Sequence, residues 1–142
     1  MKKTDPRLKK PGEASITVLF SRYKNNARSR GHRFDLSREQ FVAIISKNCT
    51  YCNTAPVEFN SYLRKDKTVQ KIKGRNTEFT IDRSWIKANG IDRLDNNSGY
   101  VEGNVVACCK FCNLAKRDLN QKEFLENVKR VFKHQFLLKE TA

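Results

Sequence analysis

Apolar residues recur at steps of three and four positions from about Ser15 to Arg30, a spacing typical of an amphipathic helix. The apolar stripe consists of Ile16, Leu19, Phe20, Tyr23 and Ala27. The opposite face carries the basic residues Arg22, Lys24, Arg28 and Arg30. Gly31 follows, and glycine is common just past the end of a helix. The pattern therefore predicts a first helix with one buried face and one basic face.

A second helix is predicted to begin after Ser37. The stretch "SREQ" places a serine at the N-cap and Gln40 three residues later, which is the pattern of a capping box. Phe41, Ile44 and Ile45 supply a buried face, and Asn48 is a suitable end point. The stretch "CTYC" follows immediately.

Short apolar runs predict strands in the second half of the chain. They are "FTI" near Phe79, "GIDRL" near Ile91 and "NVVACC" from Asn104. The segment between the last two runs is rich in Asn, Ser and Gly, so it is predicted to be the loop of a β-hairpin. The stretch "KFCNLAKRDL" is predicted to form a short helix after the hairpin.

The last predicted element is an amphipathic helix. Asn120 and Glu123 have the spacing of a second capping box. The apolar positions of this helix are Phe124, Leu125, Val128, Val131 and Phe132. Together the patterns predict an α+β fold with one helical part at each end of a small β-hairpin core.

The chain length of 142 residues fits one domain, predicted at residues 14–136. Its helical part is residues 14–48, its hairpin part is 49–119 and its C-terminal helix is 120–136. Residues 1–13 are predicted to be a disordered basic arm and residues 137–142 a tail. Only 38% of the residues are hydrophobic, so a core of this size is expected to need a further constraint.

The net charge of +14 indicates a polyanionic partner, and nucleic acid is the commonest one. Candidate contacts are Arg22, Lys24, Arg28, Arg30, Lys71, Lys73, Arg75, Lys116 and Arg117. The basic segment 53–78 has two interpretations, a solvated loop or a nucleic-acid contact. Charge that serves only solubility is the alternative for the chain as a whole. No oligomeric state is predicted.

No signal peptide or membrane span is evident, because the apolar run "ITVLF" is too short for either. The chain is therefore expected to remain inside a cell, in the cytoplasm or nucleoid of a host, and not to be secreted. A phage or virus is one candidate source. Its five cysteines are then expected to be thiols or metal ligands rather than disulfides.

Two C-x-x-C pairs are the strongest chemical signal. Cys49 and Cys52 form one pair, and Cys109 and Cys112 form the other. Four thiolates in two such pairs predict one tetrahedral structural Zn²⁺ per chain, which would close a long loop. A redox dithiol and plain buried cysteines are the alternatives. Cys108 is predicted to be a small buried residue rather than a ligand.

A second metal site is predicted near the hairpin. If zinc fixes Cys109 and Cys112, the helix that contains Asn113 lies beside the strand that contains Asp92. A carboxylate and an amide oxygen suit a hard cation such as Mg²⁺ or Mn²⁺, which is suited to phosphodiester chemistry.

The chain resembles the HNH (ββα-metal) endonucleases, in particular a zinc-containing branch found in phage and mobile-element proteins. The resemblance rests on "CTYC", "RYKNNARSRGHRFDLSREQFVAII" and "NGIDRLDNNSGYVEGNVVACCKFCNLAKRD", and it covers roughly residues 15–132. It implies a ββα-metal core in which Asp92 and Asn113 bind the catalytic metal. It also implies that the Asn104 side chain ties down the hairpin loop and that the four paired cysteines bind zinc.

One position departs from the family pattern. The residue after the metal-binding aspartate is usually a histidine that acts as the general base, and here it is Arg93. Arginine stays protonated, so it is expected to contact phosphate or stabilise transition-state charge instead. The other bases considered are a metal-bound hydroxide, Asp95, His32 and His134. Asp95 is interpreted as a turn residue, and both histidines as surface residues.

Two functions follow from these features. The first is a metal-dependent endonuclease with Asp92, Arg93 and Asn113 as catalytic residues, acting on DNA by preference, with RNA as the alternative substrate. The second is an HNH scaffold without activity that binds nucleic acid in a ribonucleoprotein or viral particle. A basic protein-binding module is a third reading.

Overall fold

The computed structural model of this chain describes residues 8–68 and 77–138. The elements in chain order are the helices α1 (Glu13–Ser29) and α2 (Arg38–Ile45), strand β1 (Val57–Phe59), helix α3 (Thr77–Asp82), strands β2 (Ile86–Ala88), β3 (Gly90–Arg93) and β4 (Val105–Cys108), and helices α4 (Lys110–Lys116) and α5 (Gln121–Phe132). A π-helical turn, Lys133–Leu137, continues α5. The predicted α+β class is confirmed.

Both helices of the N-terminal part lie where the sequence pattern predicts them. α1 follows Gly12, whose φ of 81° favours glycine because a side chain there would be strained. α2 has the complete capping box: the Ser37 side chain accepts a hydrogen bond from the Gln40 amide, and the Gln40 side chain accepts one from the Ser37 amide. The predicted hydrophobic faces of the two helices meet, with Phe20 and Phe41 packed edge to face.

The predicted hairpin is also confirmed. β3 and β4 are antiparallel, with Gly90 opposite Cys108 and Arg93 opposite Val105. A second two-stranded sheet pairs β1 with β2. Buried side chains from α1, α2, the end of β2, the hairpin and its loop form one core, which consists of Ala27, Leu36, Phe41, Ile45, Ala88, Ile91, Tyr100 and Val105.

The strand predicted near Phe79 is wrong, because this segment is helix α3. A run of three apolar residues does not distinguish a strand from a helical turn. Glu78 in the first turn favours the helix through its interaction with the helix dipole. The strand of this region is β2, which pairs with β1 across the sequence.

The C-terminal helix has the predicted capping box at Asn120 and Glu123. Phe124 is its buried residue, and its ring packs edge to face on Tyr51 at a centroid distance of 5.2 Å. This contact connects α5 to the first C-x-x-C turn. Lys71, Lys73 and Arg75, most of the predicted N-terminal arm and most of the predicted tail lie outside the described residues. Within the described ranges, no helix is long and apolar enough to cross a membrane.

Candidate functional site

The two cysteine pairs come together at one point of the fold. The Sγ atoms of Cys49, Cys52, Cys109 and Cys112 all lie within 4.8 Å of one another. The Sγ atoms of Cys52 and Cys109 are 3.6 Å apart. Sulfur atoms around a tetrahedral zinc, each about 2.3 Å from the ion, are about 3.8 Å apart. The four thiols can therefore hold a metal ion, and their geometry fits zinc.

Hydrogen bonds from backbone and side-chain groups position both cysteine pairs. The Thr50 amide donates to the Ala107 carbonyl at 2.9 Å, which joins the first pair to strand β4. Asn89 donates from its side chain to the Lys47 and Thr54 carbonyls at 2.9 and 3.2 Å. Cys109 is the N-cap of α4. The cluster thus fixes the first turn of the helix that carries Asn113.

The thiols differ in their acidity. Hydrogen bonds from the Thr54 side chain and backbone lower the pKa of Cys52 to about 6. Burial raises the pKa of the Cys112 thiol. Burial also raises the pKa of Cys108, whose side chain is fully buried and lies outside the four-sulfur group. The prediction that Cys108 is a buried residue is confirmed.

Asp92 lies on β3 and is only 7% exposed. Its Oδ2 accepts a hydrogen bond of 2.8 Å from the Tyr51 hydroxyl, and burial together with Asp92 raises the pKa of that tyrosine. The Lys116 ammonium lies 3.2 Å from Oδ2 and 3.4 Å from Oδ1. Lys116 also donates to the Arg93 carbonyl at 3.1 Å. Asp92 is therefore half of a buried ion pair.

Lys116 does not fit its predicted role as a nucleic-acid contact. The side chain is 0% exposed, so it cannot reach a phosphate from this position. Lys116 lies one helical turn after Asn113, and its charge led to the prediction that its side chain is exposed. The Lys116 ammonium instead neutralises the buried Asp92 carboxylate.

A polar cleft brings together the predicted catalytic residues. Asp92, Arg93 and Asn113 line it with the predicted phosphate contacts Arg30 and Arg117. The remaining lining residues are Tyr23, Ile91, Asn96, Tyr100 and Asp118. Asp118 supplies a second carboxylate that the sequence analysis missed.

The oxygen donors of this cleft fit a hard cation such as Mg²⁺ or Mn²⁺. Asp92 is already engaged by Lys116 and Tyr51, but a carboxylate has about four acceptor positions and retains capacity for a metal. Within the described part of the chain, no hydrogen bond engages the half-buried Asn113 side chain. The neighbouring ammonium reduces the net charge of the site, so we expect a weaker cation site than an unpaired carboxylate would give.

Arg93 is directed to the hairpin loop. Its Nη1 donates to the Asn96 carbonyl at 2.9 Å and to the Ser98 carbonyl at 3.1 Å. The guanidinium carbon lies 5.4 Å from the centre of the Tyr100 ring. Arg93 therefore stabilises the loop with one nitrogen, and its side chain, which has further N–H donors, also lines the cleft.

His32 is the histidine that the structure brings to this region. The Tyr100 backbone amide donates to the Arg33 carbonyl at 2.8 Å, and the Tyr100 carbonyl accepts from the Asp35 amide at 2.9 Å. The segment after α1 therefore lies against the hairpin loop. His32 Nδ1 is then 3.4 Å from Arg93 Nη1. Burial and the charges of Arg93 and Arg30 lower the pKa of His32.

The orientation of His32 limits what it can do as a base. Arginine can only donate, so the 3.4 Å contact is a hydrogen bond only when His32 is neutral and carries its proton on Nε2. The basic nitrogen is then engaged by Arg93. His134 lies on the exposed π-helical turn. The His32 contact could not be predicted from the sequence, because it depends on pairing between Phe34 and Tyr100.

Asn104 and Asp95 organise the hairpin loop. The Asn104 side chain accepts from the Asp95 amide at 2.9 Å and donates to the Asp95 and Gly99 carbonyls at 3.1 and 2.9 Å. The Asp95 carboxylate accepts from the Asn97 amide at 2.9 Å, which is a local turn contact. These bonds hold the backbone beside Arg93.

Comparison with known proteins identifies the fold. The chain is similar to the solved structure of the rare-cutting HNH restriction endonuclease PacI, with a TM-score of 0.52 and 18% sequence identity over 84% of this chain and 78% of that one. This chain has an HNH endonuclease fold. The predicted architecture, a small HNH core with clustered cysteines and flanking helices, is therefore confirmed.

A sequence relative is found in a virus. The chain is 30% identical over 128 residues to the uncharacterized protein R423 of Acanthamoeba polyphaga mimivirus. The match covers 84% of this chain but only 19% of the viral protein, so the HNH-fold chain spans about a fifth of that relative. No protein-family model matches the chain.

Proposed function

We propose that this chain is a metal-dependent endonuclease that hydrolyses phosphodiester bonds in nucleic acid, with DNA favoured over RNA. The observation that carries the proposal is the cleft that contains Asp92, Asn113, Arg93 and Arg117 in an HNH fold. An acidic residue beside guanidinium groups is the combination needed to hold both a cation and a phosphate.

Each side chain of the cleft has a proposed role. Asp92 and Asn113 would hold Mg²⁺ or Mn²⁺, and the bound ion would supply Lewis-acid stabilisation of the charge on the scissile phosphate and its leaving oxygen. Arg117 and Arg30, both exposed at the cleft, bind the flanking phosphates. Arg93 holds the loop through Nη1 and presents its remaining N–H groups to the phosphate.

We also propose that the four clustered cysteines bind one structural Zn²⁺ per chain. The ion would join the end of α2 to the start of α4 and close a loop of about sixty residues, which supports a modest hydrophobic core. Its role for the cleft is indirect, since Asn113 follows Cys112 directly on α4.

The basic surface supports nucleic acid as the partner. The side chains of Arg22, Lys24 and Arg28 are exposed along α1, and Arg30 of the cleft is the C-cap of this helix. Neutralisation of phosphates by such a row releases counterions, so affinity should fall steeply with salt. The chain is proposed to act inside a host cell, and its viral relative is consistent with a viral or phage source.

The test is incubation of the zinc-containing protein with supercoiled plasmid, single-stranded DNA and RNA, each with Mg²⁺ or Mn²⁺. We expect cleavage of at least one substrate by the parent and by Glu102→Ala, an exposed carboxylate outside the cleft. Asp92→Ala should abolish cleavage. Activity that survives this substitution would assign the cutting to another site or to a contaminant.

A second candidate function is nucleic-acid binding without hydrolysis. It is favoured by the buried Lys116–Asp92 ion pair and by the absence of a histidine at position 93. It predicts salt-sensitive binding with no cleavage in any divalent metal. Arg93→His separates the two functions, because cleavage by this variant alone would show that the parent has a binding role.

A further inference from the structure

We propose that an unpaired strand of nucleic acid binds in a groove beside the cleft and stacks a base on Trp85. This inference rests on nucleic acid being the partner in the proposed function, but it does not require hydrolysis. The groove, called here the Trp85 groove, is lined by β1, the 63–67 loop, Arg22, Trp85 and Lys110.

The Trp85 groove is linked to the cleft through shared lining residues. A neighbouring depression shares Arg22, Lys110 and strand β1 with it and extends to Tyr23 and Asn113. Tyr23 and Asn113 also line the cleft that contains Asp92. The proposal therefore places the strand between Asn113 and Trp85, across the residues that these depressions share.

The aromatic residues of the groove are suited to stacking. Trp85 is 42% exposed although it is the largest side-chain type, and it lies directly before β2. The Arg22 guanidinium lies 5.8 Å from the centre of the Phe59 ring on the opposite strand. Aromatic faces interleaved with cations are the usual platform for the bases of a single strand.

The charge of the groove favours a polyanion over an apolar peptide. The basic residues of its lining are Arg22, Arg64, Lys65, Lys67 and Lys110, and Glu58 is the acid among them. In a duplex the base faces are covered by stacking and only their edges reach the grooves. Stacking on Trp85 therefore requires an unpaired strand, whereas the cationic lining alone would accept a duplex equally well.

The chain provides its own probe, because Trp85 is its single tryptophan. Intrinsic fluorescence is titrated in zinc-containing buffer without Mg²⁺ or Mn²⁺. The ligands are a single-stranded oligonucleotide of about 12 residues, a blunt-ended duplex at the same phosphate concentration, an abasic strand of equal length, and polyglutamate. We expect saturable quenching by the single strand and little by the other three. Equal quenching by the duplex, the abasic strand or polyglutamate would overturn the proposal.

Variants test the stacking by a second readout, the anisotropy of a labelled single strand. Trp85→Leu should weaken binding by about 5- to 150-fold, the range expected for one stacked base, while Trp85→Phe should retain most of the affinity. Phe111→Leu is the matched control, since Phe111 is 80% exposed on α4 but does not line the groove. Circular dichroism establishes that each variant is folded.

The outcomes separate this proposal from the nuclease proposal. Quenching by the single strand in a protein that cuts nothing would support the groove and reject the nuclease. Cleavage by a protein whose Trp85→Leu variant binds a single strand as tightly as the parent would reject the groove alone.

Discussion

Replacement of Lys116 by methionine tests the charge balance at the centre of the site. The Lys116 ammonium is fully buried and bonds to both Asp92 oxygens and to the Arg93 carbonyl. Methionine keeps most of the volume and removes the charge. Asp92, whose side chain is 8% exposed, would then keep the Tyr51 hydroxyl as its one side-chain partner among residues 8–68 and 77–138.

The expected loss follows from the burial of both groups. Removal of one partner of a buried ion pair leaves an uncompensated charge and costs about 3–5 kcal/mol. That is a large part of a total stability of about 5–15 kcal/mol. Asp92→Asn combined with Lys116→Met removes both charges, so its loss should be smaller than the sum of the two single losses by about 1–3 kcal/mol.

The assay is urea unfolding followed by circular dichroism in zinc-containing buffer, for the parent, both single variants and the double variant. Lys122→Met is the control, because Lys122 is exposed on α5 and its loss should change stability by less than about 0.5 kcal/mol. A loss for Lys116→Met no larger than that of the control, or strictly additive losses in the double variant, would refute the buried pair.

Three further predictions concern other parts of the structure. Elemental analysis should find about one zinc per chain. Cys112→Ser or a strong chelator should lower the melting temperature sharply, and a metal-free chain with the parent's melting temperature would contradict a stabilising zinc at the four cysteines. Asn104→Ala removes three hydrogen bonds from the hairpin loop and should cost about 2–4 kcal/mol in urea unfolding, whereas a neutral result would show that the loop does not depend on them. Burial raises the pKa of Tyr23, so the stability that its neutral hydroxyl contributes is present below about pH 10 and is lost as pH rises toward the folded pKa, at up to about 1.4 kcal/mol per pH unit. The free energy of unfolding should therefore depend less on pH between about pH 9 and 11 in Tyr23→Phe than in the parent. The same pH dependence in both proteins would reject this role of Tyr23.

Local patterns in the sequence were sufficient for most of the elements. Strong periodicity or clear capping residues mark four of them, and each forms where its pattern predicts it: α1, α2, the β3–β4 hairpin and α5. The strand predicted at Phe79 was wrong because a short apolar run fits either secondary structure; the strand of this region is β2, which is defined by its pairing with β1.

The site divides in the same way. The cysteine spacing was enough to predict the four-sulfur cluster, because two C-x-x-C pairs specify their own local geometry. The partners of Asp92 were not predictable, since Tyr51 and Lys116 approach it from other elements of the fold. The contact of His32 with Arg93 likewise depends on where the segment after α1 meets the hairpin loop.

Single-turnover cleavage as a function of Mn²⁺ concentration tests metal-dependent hydrolysis in the cleft most sharply. It is measured for the parent, Asp92→Ala, Asn113→Ala and Glu102→Ala on the substrate that the parent prefers. We predict that the rate of the parent and of Glu102→Ala saturates with Mn²⁺, and that each cleft variant loses about 100-fold or more in rate. Cleavage by Asp92→Ala and Asn113→Ala at the parent's rate, or no cleavage by the parent at any Mn²⁺ concentration, would show that the cleft is not a metal-dependent nuclease site.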